Sequence, residues 1–385
     1  MENSLFLTES LENDTLSILN NFDEIIQGVR PLNSRQLQQL PDNIKALSHQ
    51  LTDQRSERRL GYMNDNVQLS SYVRYYTWWN LVRLTRLFSN LPEELFPSKE
   101  SICLDLGTGP LTLVIALWLA RPELRKLKLT WYCLDVSANS MALGEDIYLS
   151  LAARSDEEPW KIIRVKGPFG TSLRQKADFI TCANMFNELD QAGDMPPEYQ
   201  TKKYFDQLKA YSNPEASFLL IEPGVPKASR TLSLLRTRFI GLGKEVLAPC
   251  PHGGDCPMNG FKAYTGSQNK WCNFAFSTED APAKLQKLSE KAKLPKERAT
   301  LSFLAVKAGG QTPSKKEDLL CRVASDSFNL PGKAFGHYAC SSLGLLLLRT
   351  KGSEMLKSGD LISVKIKRPD SLPKDEKSGA LIIDL

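Results

Sequence analysis

LDLGTGP, residues 104–110, sets a carboxylate at the end of a short apolar run, then two glycines in a turn, and LTLVIALWLA, residues 111–120, follows as an apolar helix. A strand, a glycine turn and a helix in that order let backbone approach a ligand, and the helix N-terminus favours the ligand's negative groups. Downstream, LKLTWYCLDV (127–136) reads as a second strand with Asp135 near its end, where a carboxylate would hold the two hydroxyls of a ribose. ADFITCANMF (177–186) and ASFLLIEPG (216–224) are further strands, and SRTLSLLRTRFI (229–240) is a helix behind the last of them. Strands alternating with helices predict an α/β fold with a mainly parallel sheet covered on both faces.

An acid before the glycines and a second acid after the neighbouring strand suit S-adenosylmethionine better than a nicotinamide dinucleotide, because no phosphate has to be housed between nucleoside and reactive sulfur. The candidate cofactor contacts are Asp105, Gly107, Gly109 and Asp135, and the third strand leads into NMFNEL (184–189), which carries Asn187 and Glu188 near the switch point where a ligand would lie. The competing reading is a turn that keeps its glycines for packing and binds nothing. Leu111 stands where a third glycine often sits and is expected to narrow the pocket.

Outward from this centre, residues 1–95 predict a helical region. LTESLENDTLSILNNFDEIIQGV (7–29) has helical spacing with Thr8 as N-cap, and the aromatic-rich SSYVRYYTWWNLVRLTRLFSNL (70–91) reads as core. The α/β core is expected over 96–245, a cysteine-rich region with returning strands over 246–345, and a β segment over 346–385. The last strands would either complete the main sheet or form a separate appendage.

Composition limits the function classes. The 49 Lys and Arg against 44 Asp and Glu give a net charge of +5, and 42% of residues are hydrophobic. That balance permits contact with nucleic acid without requiring it. Basic runs at 55–59, 121–128 and 284–298 read first as solvated faces. No apolar run approaches the ~18 residues of a membrane span, and the acidic N-terminus does not resemble an import signal. A cytoplasmic monomer without membrane contact is expected, so its thiols would be reduced.

The eight cysteines fall into two sets. Cys103, Cys133 and Cys182 lie in apolar strands and read as small core fillers. Cys250, Cys256 and Cys272 lie in PCPHGGDCPMNGFKAYTGSQNKWC (249–272), and Cys340 follows in GHYACSSLG (336–344). Irregular Gly- and Pro-rich backbone lets amide groups turn towards sulfur, and the wide spacing suits a four-thiolate iron–sulfur cluster better than a zinc knuckle. A zinc site of three cysteines with His252 or His337 is the rival. Cys321 competes with Cys340 for the fourth place, but DLLCRV (318–323) reads as a regular apolar segment.

LDLGTGP, LDVSANSMALGEDI, NMFNELD, LLIEPGVPKASRTLSLLRTRFI, LAPCPHGGDCP, WCNFAF and GHYACSSLG together resemble the methyltransferase-like proteins of small-ribosomal-subunit assembly, some of them mitochondrial, from about residue 60 to 360. The resemblance implies a Rossmann-like class I methyltransferase fold and a 4Fe-4S cluster on Cys250, Cys256, Cys272 and Cys340. It also implies that Asn187 and Glu188 stand near the methyl-transfer face, and that the protein acts on the small ribosomal subunit or its rRNA. The function expected is an S-adenosylmethionine-dependent methyltransferase-like protein. The alternative is a non-enzymatic assembly factor that holds rRNA on a cluster-stabilised surface.

Overall fold

The computed structural model describes residues 4–52, 62–189, 195–261, 269–309, 318–351, 356–366 and 371–385. The basic run 55–59 and most of the polar linker 309–316 lie outside the described residues.

Fourteen strands are described: β1 Ser101–Leu106, β2 Leu129–Asp135, β3 Lys161–Lys166, β4 Ala177–Ala183, β5 Ser212–Glu222, β6 Glu245–Ala248, β7 Phe274–Ser277, β8 Arg298–Lys307, β9 Leu319–Val323, β10 Phe328–Leu330, β11 Ala334–Ser341, β12 Gly344–Lys351, β13 Leu361–Val364 and β14 Leu381–Asp384. The first eight form one sheet in the order β3-β2-β1-β4-β5-β8-β6, with β7 also paired to β8. From β3 to β5 every pair is parallel, whereas β8 runs antiparallel to β5, β6 and β7. The chain therefore starts in the middle of the sheet, at β1, and winds outward to both sides. That puts the ends of β1 and β4 at the point where the strand order reverses, the place where such sheets receive ligands.

Side-chain chemistry explains each layer. The helix Thr112–Ala120 is apolar all round and buried along its whole length, as a helix clasped between the sheet and a second layer must be. The second layer is the helical N-terminal region: Asn13–Asn20, Phe22–Val29, Ser34–Thr52, Asn66–Tyr72 and Trp78–Phe88, with a π turn at Val73–Thr77. Its aromatics are core, as expected, and Trp78 and Trp79 are both buried. Trp78 Nε1 donates to Leu19 O (2.7 Å), Trp79 Nε1 to Ser289 Oγ (3.1 Å), and Thr15 Oγ1 to Leu119 O (2.6 Å). Thr8 is not an N-cap: the first helix starts five residues later, at Asn13, and Thr8 Oγ1 instead donates to Asp280.

Three strands of the main sheet escaped the sequence reading. β3 is an edge strand in which exposed lysines and an arginine interrupt the half-buried Ile162, Ile163 and Val165, so its apolar signal is weaker than that of its neighbours. β6 and β7 have four residues each and border the cysteine loop. The C-terminal strands do not complete the main sheet. They form a six-stranded sheet of their own, in the order β13-β9-β11-β12-β14 with β10 on β11. The boundary expected at 345/346 falls inside the β11–β12 hairpin.

One contact fixes how closely the helix Ala138–Ala152 approaches the glycine turn. A Cβ on Gly144 would stand 2.3 Å from the carbonyl carbon of Pro110. Gly144→Ala should therefore push the helix off the turn and lower stability by about 1–3 kcal/mol, the usual cost of overpacking. Urea unfolding checks this, and an unchanged midpoint would refute the tight fit.

Candidate functional site

The turn after β1 is stitched to the end of β2. Gly107 N and Thr108 N both donate to Leu134 O (2.9 and 3.2 Å), and Gly109 N donates to Asp135 Oδ2 (2.9 Å). Asp135 Oδ1 accepts from Ser137 N (2.8 Å). Gly107 and Gly109 have φ of 65° and 53°, a region that only glycine enters at no steric cost. Leu111 is also left-handed, at φ 53°. That backbone demand is why glycine suits the position; leucine there costs about 1–2 kcal/mol. Its side chain is fully buried, and burial returns about 1.5–3 kcal/mol, so packing wins. Leu111 faces the core and does not line the cavity, contrary to expectation.

The cavity beside the turn, about 80 Å³, is lined on one side by Asp105, Gly107, Thr108, Gly109 and Asp135. Opposite stand Met63, Tyr72, Asn80, Asn184, Met185 and Glu188. Of the two expected transfer-face residues only Glu188 lines it. Met63 narrows the opening: Ser140 Oγ donates to its sulfur (3.7 Å), and Asn64 Oδ1 accepts from Ser137 Oγ (2.9 Å). The turn Tyr62–Asn64 thus lies across the glycine loop. No helical or strand periodicity marks three such residues, so sequence reading missed them.

Asp105 is buried at the end of β1. Its Oδ1 accepts from Thr181 Oγ1 (2.8 Å), while Oδ2 has no partner among the described residues. Burial pushes its carboxyl up to about 7, with the neighbouring Thr108 and Thr181 hydroxyls opposing the rise and Asp135 adding to it. Burial also raises Asp135, against the backbone bonds from Ser137 and Gly109. Two buried acids at one cavity suit a cationic or hydroxyl-rich ligand. Glu222, at the end of β5, is a further carboxylate that motif reading passed over. Fully buried, it accepts from Phe186 N (2.9 Å) and Asn187 N (3.1 Å), and so pins the short helix that carries Asn187 and Glu188. Burial of the Tyr72 hydroxyl, with Glu188 and Asp135 nearby, raises its pKa far above the usual phenol range.

A second cavity lies between β8, the helix Pro226–Gly241 and the cysteine loop. Cys250, Cys256, Cys272 and Cys340 all line it, together with Arg236 and Arg322. Arg236, from the helix Pro226–Gly241, donates Nε–H to Cys250 Sγ (3.1 Å) and Nη2–H to His252 O (2.7 Å). Arg322 on β9 donates to Pro249 O (3.0 Å) and Gly359 O (2.8 Å). Cys272 O accepts from Ser229 Oγ (2.8 Å) and Ser302 Oγ (2.5 Å). Burial, and then the neighbouring thiols, hold Cys272 and Cys340 well above the ordinary thiol range; Arg236 pulls in the other direction. Among the described residues no three His, Cys, Asp or Glu side chains come close enough to share one metal ion. The fold alone therefore does not establish the metal-cluster insertion expected from the sequence.

The histidines separate. His252 Nε2 lies 3.0 Å from Cys340 Sγ. On β11, Cys340 is opposite Arg322 and Leu345, whereas His337 is opposite Leu348. Alternation along the strand sends His337 to the other face, so it cannot join Cys340 at one ion. Cys321, opposite Ser341, faces the second sheet's own small core. Cys103, Cys133 and Cys182 are fully buried strand residues, as expected.

A parallel sheet closed by one antiparallel strand, with an acid–glycine turn at its reversal point, defines a class I methyltransferase-like protein. The chain belongs to the Rsm22 family: the family model described as mitochondrial small ribosomal subunit Rsm22 matches residues 75–335. No curated protein matches the sequence. Among solved structures, a putative class I S-adenosylmethionine-dependent methyltransferase of Listeria monocytogenes is 11% identical, with a TM-score of 0.34 over 80% of this chain and 92% of that one. YjhP of E. coli is 13% identical, with a TM-score of 0.34 over 69% and 99%. A methyltransferase of Geobacter sulfurreducens bound to S-adenosylhomocysteine is 13% identical, with a TM-score of 0.33 over 60% and 90%. At these scores the likeness adds nothing to the strand order, which defines the fold by itself. No helix among the described residues is long and apolar enough to cross a membrane.

The raised Asp105 carboxyl gives a pH signature. An unfolded aspartate loses its proton near pH 4, whereas the folded one keeps it to about pH 7. The group therefore costs increasing stability as pH climbs from 4 through 7. Asp105→Asn should raise the Tm of the ligand-free protein at pH 8 and leave it nearly unchanged at pH 4. A gain of equal size at both values would contradict the assignment.

Proposed function

We propose that this chain is an S-adenosylmethionine-dependent methyltransferase-like protein acting on the small ribosomal subunit or its rRNA. The observation that carries the reading is Asp105 Oδ2, a buried carboxylate oxygen without a described partner at the lip of the glycine turn. Asp105 would meet the cofactor's cationic end, Asp135 its ribose hydroxyls, and the backbone at Gly107 and Gly109 would allow close approach. The cofactor, when bound, supplies an electrophilic methyl on its sulfonium. Glu188, and Asn187 beside it, would orient an acceptor nitrogen or hold its proton, with Glu222 keeping their helix in place. The ribosomal target follows from the family, which is named for a mitochondrial small-subunit protein. Cytoplasmic placement is for this reason a proposal of its own and does not follow from membership.

One observation favours the alternative reading, an assembly factor without turnover. The cavity of about 80 Å³ is well below the ~300 Å³ at which ligand sites begin. A nucleoside would enter only if Met63 moved aside. Purified protein, methyl-labelled cofactor and immature small subunits decide between the two: label in RNA supports the enzyme, and binding without label supports the scaffold. Met63→Ala should tighten cofactor binding several-fold by calorimetry; unchanged affinity would mean that this turn is no barrier.

The four-cysteine cavity is proposed to hold a 4Fe-4S cluster on Cys250, Cys256, Cys272 and Cys340. What supports this reading is that the four thiols line one cavity together with Arg236 and Arg322. The residues would bind the group, and the two cavity arginines would offset thiolate charge. Protein prepared without air should be brown, with iron and sulfide in equal amounts. Cys256→Ser should lose both while Cys321→Ser keeps them; colourless protein holding one zinc would overturn the cluster.

A further inference from the structure

Two residues meet sulfur in the second cavity without being cysteines. Arg236 is buried and points Nε–H at Cys250 Sγ (3.1 Å), while His252 is buried with Nε2 3.0 Å from Cys340 Sγ. They are linked, since Arg236 Nη2 also donates to the carbonyl of His252 (2.7 Å). No carboxylate is paired with Arg236 in the hydrogen bonds and ion pairs of the described residues; its partners are a sulfur and a carbonyl. A buried guanidinium in that position requires compensating negative charge close by.

We infer that Arg236 and His252 are hydrogen-bond donors to the cluster's thiolates, and that Arg236 sets the cluster's charge and reduction potential. The inference rests on the cluster reading above. Four thiolates around a core of charge 2+ carry a net 2−. Arg236 brings a positive charge to the same wall, whereas Arg322, which also lines it, has the buried Asp360 close by. Without Arg236 each state would carry one more negative unit in a buried site. The penalty falls harder on the more reduced state, so Arg236 raises the potential. Its N–H bond to Cys250 acts in the same direction by drawing charge off that sulfur.

The same geometry answers the question of the fourth ligand. Cys340 and His252 stand at hydrogen-bond distance, which suits an Nε2–H tautomer donating to sulfur. With Cys250, Cys256 and Cys272 at the same cavity, four sulfurs are present and no ring nitrogen is needed.

The test is a redox titration of the air-free holoprotein, followed by visible absorption, with iron and sulfide measured on each sample. Arg236→Met should retain iron and shift reduction about tenfold against the reduced state, about 59 mV more negative for one electron. Arg236→Lys, which keeps charge but loses the planar fork, should fall between the two and serves if the methionine variant does not fold. His252→Ala should keep full iron with a smaller shift in the same direction. Unchanged potential in both Arg236 variants at full iron content would overturn the role of the arginine. Loss of iron from His252→Ala in step with loss of Cys340 would make the histidine a ligand and overturn its role as a donor. Wild-type protein without iron or sulfide would defeat the cluster reading itself, an outcome separable from both.

Discussion

The glycine turn and the carboxylate of Asp135 are held together by the joint between the first two strands. Gly107 N and Thr108 N bond the carbonyl of Leu134, and Gly109 N bonds the carboxylate of Asp135. Gly107 and Gly109 turn left-handed to make their bonds, and at Gly107 a side chain would also collide. A Cβ on Gly107 would meet Met185 at 3.0 Å, and one on Gly144 would strike Pro110. The turn therefore sits in a vice formed by β2, the loop after β4 and the helix Ala138–Ala152. Asp105, Asp135 and the loop carrying Glu188 owe their mutual placement to that vice.

A second joint connects the two sheets. Arg236 rises from a helix of the main sheet, Arg322 and Cys340 come from the C-terminal sheet, and the cysteine loop lies between them. The N-terminal segment adds a third tie, with Phe6 stacked on Phe276 (5.0 Å) and Leu5 N bonded to Gly359 O (3.2 Å). Hydrophobic packing holds each sheet together, while Arg236 from the main sheet's helix and Arg322 from the C-terminal sheet both bond to the cysteine loop between them. Such bonds are directional, so they fix an orientation that apolar contact alone would leave loose.

The sequence made legible what depends on period and on steric demand. Alternating apolar runs exposed β1, β2, β4 and β5, and the glycines exposed the turn that needs positive φ. The crowding of Cys250, Cys256 and Cys272 in irregular backbone marked the second cavity, to which Cys340 comes from β11. The features that escaped it depend on tertiary placement. Thr8 had the chemistry of a cap, but its hydroxyl was taken by Asp280, 272 residues away. His337 and His252 looked equivalent as ligands until strand alternation put one of them on the opposite face. Leu111 was expected to obstruct the pocket, yet its backbone turn carries it into the core. Met63 and Glu222 act through single contacts across the fold, which no local pattern announces.

The thiol cavity has a temporal side as well. Its first sulfur, Cys250, and its last, Cys340, are 90 residues apart (340 − 250), and the last lies on a strand of the C-terminal sheet. A chain made from its N-terminus folds its early units first, so the main sheet gathers while this cage still lacks a wall. For the proposed cluster the consequence is one of timing: the fourth thiol is added only when β11 has been made, so whatever would deliver iron and sulfide would act at the end of synthesis.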